Sequence, residues 1–147
     1  YNPVSGELEV PYDNDAVEHA TRYFGYELNI AGAIYKDSLD MTVDDRKMLA
    51  DIINASDEEV VIVVHGTDTM ELSAAFVAEA VPEKAVIFTG AMIPFSIEPV
   101  DATANLAMAL GYAACRPVPG AYIVMQGLIA PHDRIRKNKA LGRFEIV

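Results

Sequence analysis

Apolar residues fall into short unbroken runs and helical stripes that alternate along the 147 residues. Val60-Val61-Ile62-Val63-Val64 is the clearest run, five β-branched residues with no polar position on either face. Such a run reads as a parallel strand covered by helices. Ala85 to Thr89 (AVIFT), closed by Gly90, is a second buried strand, and Gly120 to Gln126 is a third. Leu28 to Tyr35 reads as another. Helical periods separate them. Asn14 or Asp15 can cap a helix whose apolar face holds Val17, Ala20, Tyr23 and Phe24. Thr42-Val43-Asp44-Asp45 is a capping-box-like start for a helix to about Asn54, with Met48, Leu49, Ile52 and Ile53 on one face. The next helix runs from about Thr69 to Ala80, with Leu72, Ala75, Phe76 and Ala80 at helical spacing, and Pro82 ends it. Asp101 caps a helix over 102–114 that buries Leu106, Ala109, Leu110 and Ala113.

The remaining segments read as connections. Residues 1–12 and 91–100 are proline-punctuated loops. Residues 127–143 are a polar, basic excursion, after which Phe144-Glu145-Ile146-Val147 adds a short edge strand. There are no repeats and no low-complexity tracts. Strand and helix alternate, which predicts an α/β fold: a doubly wound, mainly parallel sheet with helices on both faces, a Rossmann-like or flavodoxin-like three-layer sandwich. Residues 1–147 are expected to form one domain.

Charge narrows the partners. There are 22 acidic residues against 11 Lys and Arg, a net charge of -11. Such a surface repels phosphate backbones, so no nucleic-acid partner is expected. Five cations (Arg134, Arg136, Lys137, Lys139 and Arg143) crowd one short stretch. A charge run is usually a solvated loop; the sharper reading is a positive rim that receives an anionic substrate. Cys115 is the only cysteine and reads as a buried, inert thiol at a helix end. No apolar run approaches the roughly 18 residues needed to cross a bilayer. No signal peptide is visible, and a cytoplasmic location is expected.

The chemistry concentrates where strands end. Lys36-Asp37-Ser38-Leu39-Asp40-Met41, His65-Gly66-Thr67-Asp68 and Thr89-Gly90-Ala91-Met92 each follow an expected strand. Parallel strands open such loops on one side of the sheet, where ligands of α/β folds bind. Ser38, Thr67 and Asp68 are therefore expected to converge. Helix N-termini there favour a carboxylate or an oxyanion. Taken alone, Thr67-Asp68 is more often an Asx-type helix cap than a site, and Asp37 and Asp40 read as turn caps. His65 reads as a hydrogen-bonded structural histidine. His19 and His132 lack spacing to a second ligand, so no metal is expected. No G-x-G-x-x-G or P-loop occurs, so no nucleotide cofactor is expected either. Met92 and Met125 read as core.

The blocks DSLDM (37–41), VVHGTDTME (63–71), TGAMIP (89–94) and DATANL (101–106) come in the order and spacing of bacterial-type asparaginases. Over roughly residues 25–138 the chain resembles the amino-terminal domain of that family. The resemblance implies a Thr-Asp-Lys catalytic group, carried over here as Thr67, Asp68 and Lys137. Aligning the aliphatic position of the basic segment on Ile135 selects Lys137, with Arg136 as the competing register. The serine of the DS motif, Ser38, would bind the substrate's α-carboxylate. Asp37, Gly66 and Ala91 join the expected binding residues, and backbone N–H groups near Ala91 would supply an oxyanion site. The family's first strand ends in a TGGTI motif with the usual first nucleophile, and no such segment occurs in these residues. YNPVSGELEV resembles the mobile loop that follows it, so residues 1–12 are expected to order on ligand binding. Tyr1 and Tyr12 are candidates for that loop's tyrosine.

The resemblance implies an amidohydrolase that releases ammonia from L-asparagine or a related small amide by acyl transfer through a threonine. Lysine is a poor base unless burial lowers its pKa, while a nearby Asp raises it. Two alternatives stay open: a non-catalytic domain that binds a small carboxylate or amide, and a subunit of a larger amidotransferase. Full-length members carry a second domain that completes a neighbour's site. The chain resembles a single-domain form, for which a homodimer or higher homo-oligomer is expected.

Overall fold

The computed structural model describes residues 14–25 and 27–147. The expected lid over residues 1–12, with Tyr1 and Tyr12, lies outside the described residues. Four strands form the main sheet: β1 (Val60–Val64), β2 (Ala85–Thr89), β3 (Gly120–Met125) and β4 (Leu128–Pro131), in that spatial order. β1, β2 and β3 are parallel, with Val64 level with Thr89 and Phe88 with Ile123. β4 returns antiparallel along β3 through a turn at Gln126 and Gly127, both of which take positive φ. The sheet is thus mixed but mainly parallel.

Alternation along the strands decides what lies on each face. Val86 and Phe88 of β2 and Ala121, Ile123 and Met125 of β3 face α2 (Val43–Ala55) and α3 (Met70–Ala80). Ala85 and Ile87 of β2, with Tyr122 and Val124 of β3, face α4 (Pro99–Ala114) through Ala109. Helices therefore cover both faces, in three layers. α1 (Asp15–Thr21) packs beside α4 with none of its residues fully buried.

α2 starts as its sequence predicts. The Thr42 hydroxyl accepts from Asp45 N (3.2 Å) and the Asp45 carboxylate accepts from Thr42 N (2.8 Å). The inward faces of two helices differ from expectation by about one position. α2 buries Arg46, Leu49, Ala50 and Ile53 and leaves Met48 and Ile52 exposed. α3 buries Met70, Ser73, Ala74 and Val77 and turns Leu72 outward. α3 is apolar almost all round, so several stripes fit its period and only packing chooses among them.

Further differences bear on the site. Residues 27–35 form no strand; only Ile34 packs on the core. The Tyr35 hydroxyl lies over Gly32, where a β-carbon would sit 1.7 Å from it. Residues i and i+3 of a strand point to opposite faces, so that fold-back excludes strand geometry. α4 begins at Pro99, capped by Glu98, whose side chain accepts from Val100 N (3.0 Å), and not by Asp101. The excursion after β3 is ordered as β4, a short 3-10 turn (His132–Arg134), and β5 (Ile135–Asn138). β6 (Arg143–Ile146) pairs antiparallel with β5 in a separate ribbon and does not extend the main sheet. Cys115 is exposed just past the end of α4, its thiol donating to Gly111 O (3.5 Å).

Candidate active site

The turn between β1 and α3 and the ribbon strand β5 meet at three side chains. Lys137 Nζ donates to Thr67 Oγ1 (2.7 Å) and to Asp68 Oδ1 (2.8 Å). Thr67 is buried, and the Lys137 side chain is 11% exposed against 38% for Asp68. Lys137 faces inward because β5 alternates: Ile135 enters the core, Arg136 points to solvent and Lys137 turns back in. That alternation puts Lys137, and not Arg136, beside Thr67 and Asp68. Chemically, the short Nζ to Oγ1 contact offers a path for proton transfer between the threonine and the lysine, and Asp68 holds the lysine in place.

Ser38 reaches the same turn without a strand before it. Lys36 pairs with Asp45 (2.8 Å) and fixes the segment to the start of α2. That lysine, the Thr42 N–H and the Thr42 hydroxyl, which also donates to Asp45 Oδ2 (2.8 Å), push the Asp45 pKa down to about 2. Asp37 caps the 3-10 turn Ser38–Asp40 by accepting from Leu39 N (2.8 Å). Thr69, which precedes α3, does not cap it; its hydroxyl donates to Ser38 O (2.6 Å). Ser38 is buried against Gly66, where a β-carbon would lie 2.8 Å from both Ser38 Cβ and Oγ. Glycine at 66 is what lets the two loops touch.

Ala91 stands apart from the cluster. It lines an apolar cavity of about 130 Å³ with Val64, Thr89 and Phe95, walled by α1 and α4, and Thr67, Asp68 and Lys137 do not line it. The N–H groups beyond it are engaged. Asp101 Oδ2 accepts from Met92 N (2.7 Å) and Ile93 N (3.1 Å). Asn105 then ties this loop to the end of β3, donating to Gly90 O (3.0 Å) and accepting from Gln126 N (2.8 Å). An oxyanion site near Ala91 therefore cannot use Met92 or Ile93 as they stand. The basic rim is also partly engaged: Arg143 pairs with Glu145 (2.7 Å) and Arg134 donates to Val147 O (3.3 Å).

Behind the turn lies a buried network: His65 is the hydrogen-bonded structural histidine the sequence suggests, while its partners Ser73 and Arg46 were missed. Gly66 O can only accept, so His65 Nδ1 carries the proton shared with it (2.6 Å). His65 Nε2 then accepts from Ser73 Oγ (2.8 Å), whose oxygen accepts from Arg46 Nε (3.1 Å). Arg46 also donates to Met41 O (2.9 Å) and so joins the Ser38 loop to the Thr67 turn. The signal was available: Arg46 occupies the same stripe as Leu49, Ala50 and Ile53. Burial pushes the His65 pKa below its ordinary 6.5; the Gly66 carbonyl acts the other way, and the Arg46 charge lowers it further. A depressed histidine pKa means the unfolded chain takes the proton first. Stability is then full above about pH 6.5 and declines as pH falls below it, levelling off beneath the folded value. We expect the urea midpoint to drop between about pH 7.5 and 5.5, and to drop less in His65→Gln. Equal pH slopes for the two proteins would remove this assignment.

A family model described as Asparaginase, N-terminal, matches residues 9–144. The chain is 31% identical over 94 residues to an L-asparaginase of Thermococcus kodakarensis, covering 62% of this chain and 28% of that protein. The fold superposes on a probable cytoplasmic L-asparaginase from Campylobacter jejuni with a TM-score of 0.70 and 26% identity, over 78% of this chain and 40% of that one. It superposes on L-asparaginase I from Vibrio cholerae with a TM-score of 0.67 and 33% identity, over 76% and 35%. The matched region thus spans less than half the length of each of these proteins.

Proposed function

The chain belongs to the asparaginase family, and from that premise we propose that it hydrolyses L-asparagine or a related small amide to the acid and ammonia. The observation that carries this reading is Lys137 Nζ within hydrogen-bond reach of both Thr67 Oγ1 and Asp68 Oδ1. In the proposed reaction Lys137, as the free amine, takes the proton of Thr67, or of a water Thr67 holds. The oxygen adds to the amide carbon. The proton passes to the leaving nitrogen, the C–N bond breaks and ammonia departs. If Thr67 attacked, water releases the acyl group by the same route. Asp68 orients the lysine. Ser38 holds the substrate carboxylate, with Asp37 and Gly66 shaping that pocket and Ala91 forming a more distant wall.

The test is ammonia release from asparagine, paired with calorimetry of aspartate binding. Ser38→Ala should weaken binding about ten- to a hundredfold and leave kcat within a few-fold, because it removes a hydrogen bond to a charge present throughout the cycle. A lowered kcat with unchanged KM would assign Ser38 another role. A second reading, binding of a small amide or carboxylate without turnover, is favoured by the engagement of Met92 and Ile93 N–H with Asp101. It predicts aspartate binding with no ammonia release.

A further inference from the structure

Asp68 is not the only carboxylate of the α3 turn that reaches Lys137. Glu71, three residues on and in the first turn of α3, accepts the backbone N–H of Lys137 through Oε1. The turn before α3 and the first turn of α3 thus grip the same lysine at both ends, Asp68 at the ammonium and Glu71 at the main chain.

The ribbon explains why this second grip matters. β5 and β6 hydrogen-bond to each other and not to the main sheet. Lys137 lies directly opposite Phe144. In an antiparallel pair, alternate rungs direct both N–H groups outward, away from the partner strand. Lys137 and Phe144 form such a rung. Lys137 N–H meets Glu71, and Phe144 N–H meets Gln126 Oε1 (2.8 Å), which stands at the end of β3. Both outward bonds fall on the rung that carries the lysine. Ile135 and Phe144 hold the ribbon by burial, which is non-directional and tolerates sliding. The hydrogen bonds to Glu71 and Gln126 set its height against the body of the protein.

We infer that Glu71 is a positioning residue, which fixes the Lys137 backbone so that Nζ meets Thr67 Oγ1. Lysine has a four-carbon stem with rotamer freedom to lose, so a fixed root is needed for a fixed tip. Displacement of a reacting group by about 1 Å costs on the order of a hundredfold in rate. What Glu71 contributes is an acceptor oxygen at the right reach, not its charge. Glutamine supplies that oxygen; aspartate keeps the charge but falls one methylene short.

The inference rests on the amidohydrolase reading, so its test has two arms. The first is steady-state kinetics on folded protein below the unfolding transition. Glu71→Ala and Glu71→Asp should each lower kcat about ten- to a hundredfold with KM nearly unchanged, and Glu71→Gln should restore it to within a few-fold. If Glu71→Ala does not fold, the Asp and Gln pair still decides. The second arm needs no turnover: NMR of lysine side-chain 13Cε and 15Nζ, with the Lys137 signal assigned by its loss in Lys137→Met. That signal should stand apart from those of the other lysines in the unaltered chain and in Glu71→Gln, and collapse towards them in Glu71→Asp. Absence of ammonia release from the unaltered chain would sink the function and leave the NMR arm to judge Glu71. An unmoved Lys137 signal in Glu71→Asp, or kcat as low in Glu71→Gln as in Glu71→Asp, overturns the positioning role.

Discussion

Lys137→Met is expected to lower kcat for asparagine by about 10²–10⁴-fold, the usual worth of general-base help, with aspartate affinity nearly unchanged. Methionine keeps most of the stem that packs beneath the turn but has no nitrogen to take a proton. The change leaves Asp68 without its partner, but at 38% exposure its side chain is partly open to solvent, so the variant should fold. Thr67→Val is nearly isosteric, removes the hydroxyl and should cost a similar factor. Asp68→Asn should resemble Lys137→Met, because the aspartate acts only through the lysine. The three groups form one hydrogen-bonded unit, so combining Thr67→Val with Lys137→Met should add little to either loss. Independent roles would multiply the losses. Single and double variants measured together separate the two cases, and wild-type turnover in either single variant would end the catalytic assignment.

Residues close in sequence were the legible part of this site. Thr67 and Asp68 follow an all-β-branched strand after only His65 and Gly66, so their place at its carboxyl end is set by chain connectivity alone. Lys137 lies 70 residues from Thr67, and its motif neighbours rather than any local pattern pointed to it. Once β5 is known to be a strand, the alternation of Ile135, Arg136 and Lys137 is enough to turn Lys137 rather than Arg136 inward. Other features depended on partners that a period does not contain. The 28–35 stretch has strand-like apolar positions, but Ala31, Gly32 and Ala33 offer no packed face and Tyr35 folds back over the glycine. β5 and β6 read as a loop and an edge because antiparallel pairing into a free ribbon leaves little trace in hydropathy. Asp101 has a capping residue's chemistry and lies in the first turn of α4, yet its carboxylate serves the 92–93 backbone instead. Glu71 entered the sequence reading only as the last residue of the VVHGTDTME block and carried no role of its own.

Gly90→Ala is expected to destabilise the fold by about 1–3 kcal/mol or more, the range for overpacking a fixed interior, and to reduce turnover with it. A β-carbon there would lie 2.2 Å from the His65 carbonyl oxygen and 3.2 Å from Met70 Cε. The methionine can move, being unbranched and flexible. The carbonyl cannot move freely. His65 N donates to Thr89 O (2.8 Å), one step beyond the paired Val64 and Thr89, so the main chains at the ends of β1 and β2 are held together. Gly90 cannot withdraw either without loosening its own carbonyl from Asn105. Relief must come from spreading the two strand ends, and those ends carry the Gly66-Thr67-Asp68 turn on one side and Ala91 on the other. Gly111 provides the opposite case within the same protein. It lies inside α4, and nothing outside its own helix lies within 4 Å of where its β-carbon would be. Gly111→Ala should therefore stabilise by about 0.5–1 kcal/mol through helix propensity alone. Urea midpoints for both variants, with kcat measured on the folded protein, check the pair. A midpoint for Gly90→Ala equal to that of the unaltered chain would mean that the ends of β1 and β2 are not held as tightly as these contacts require.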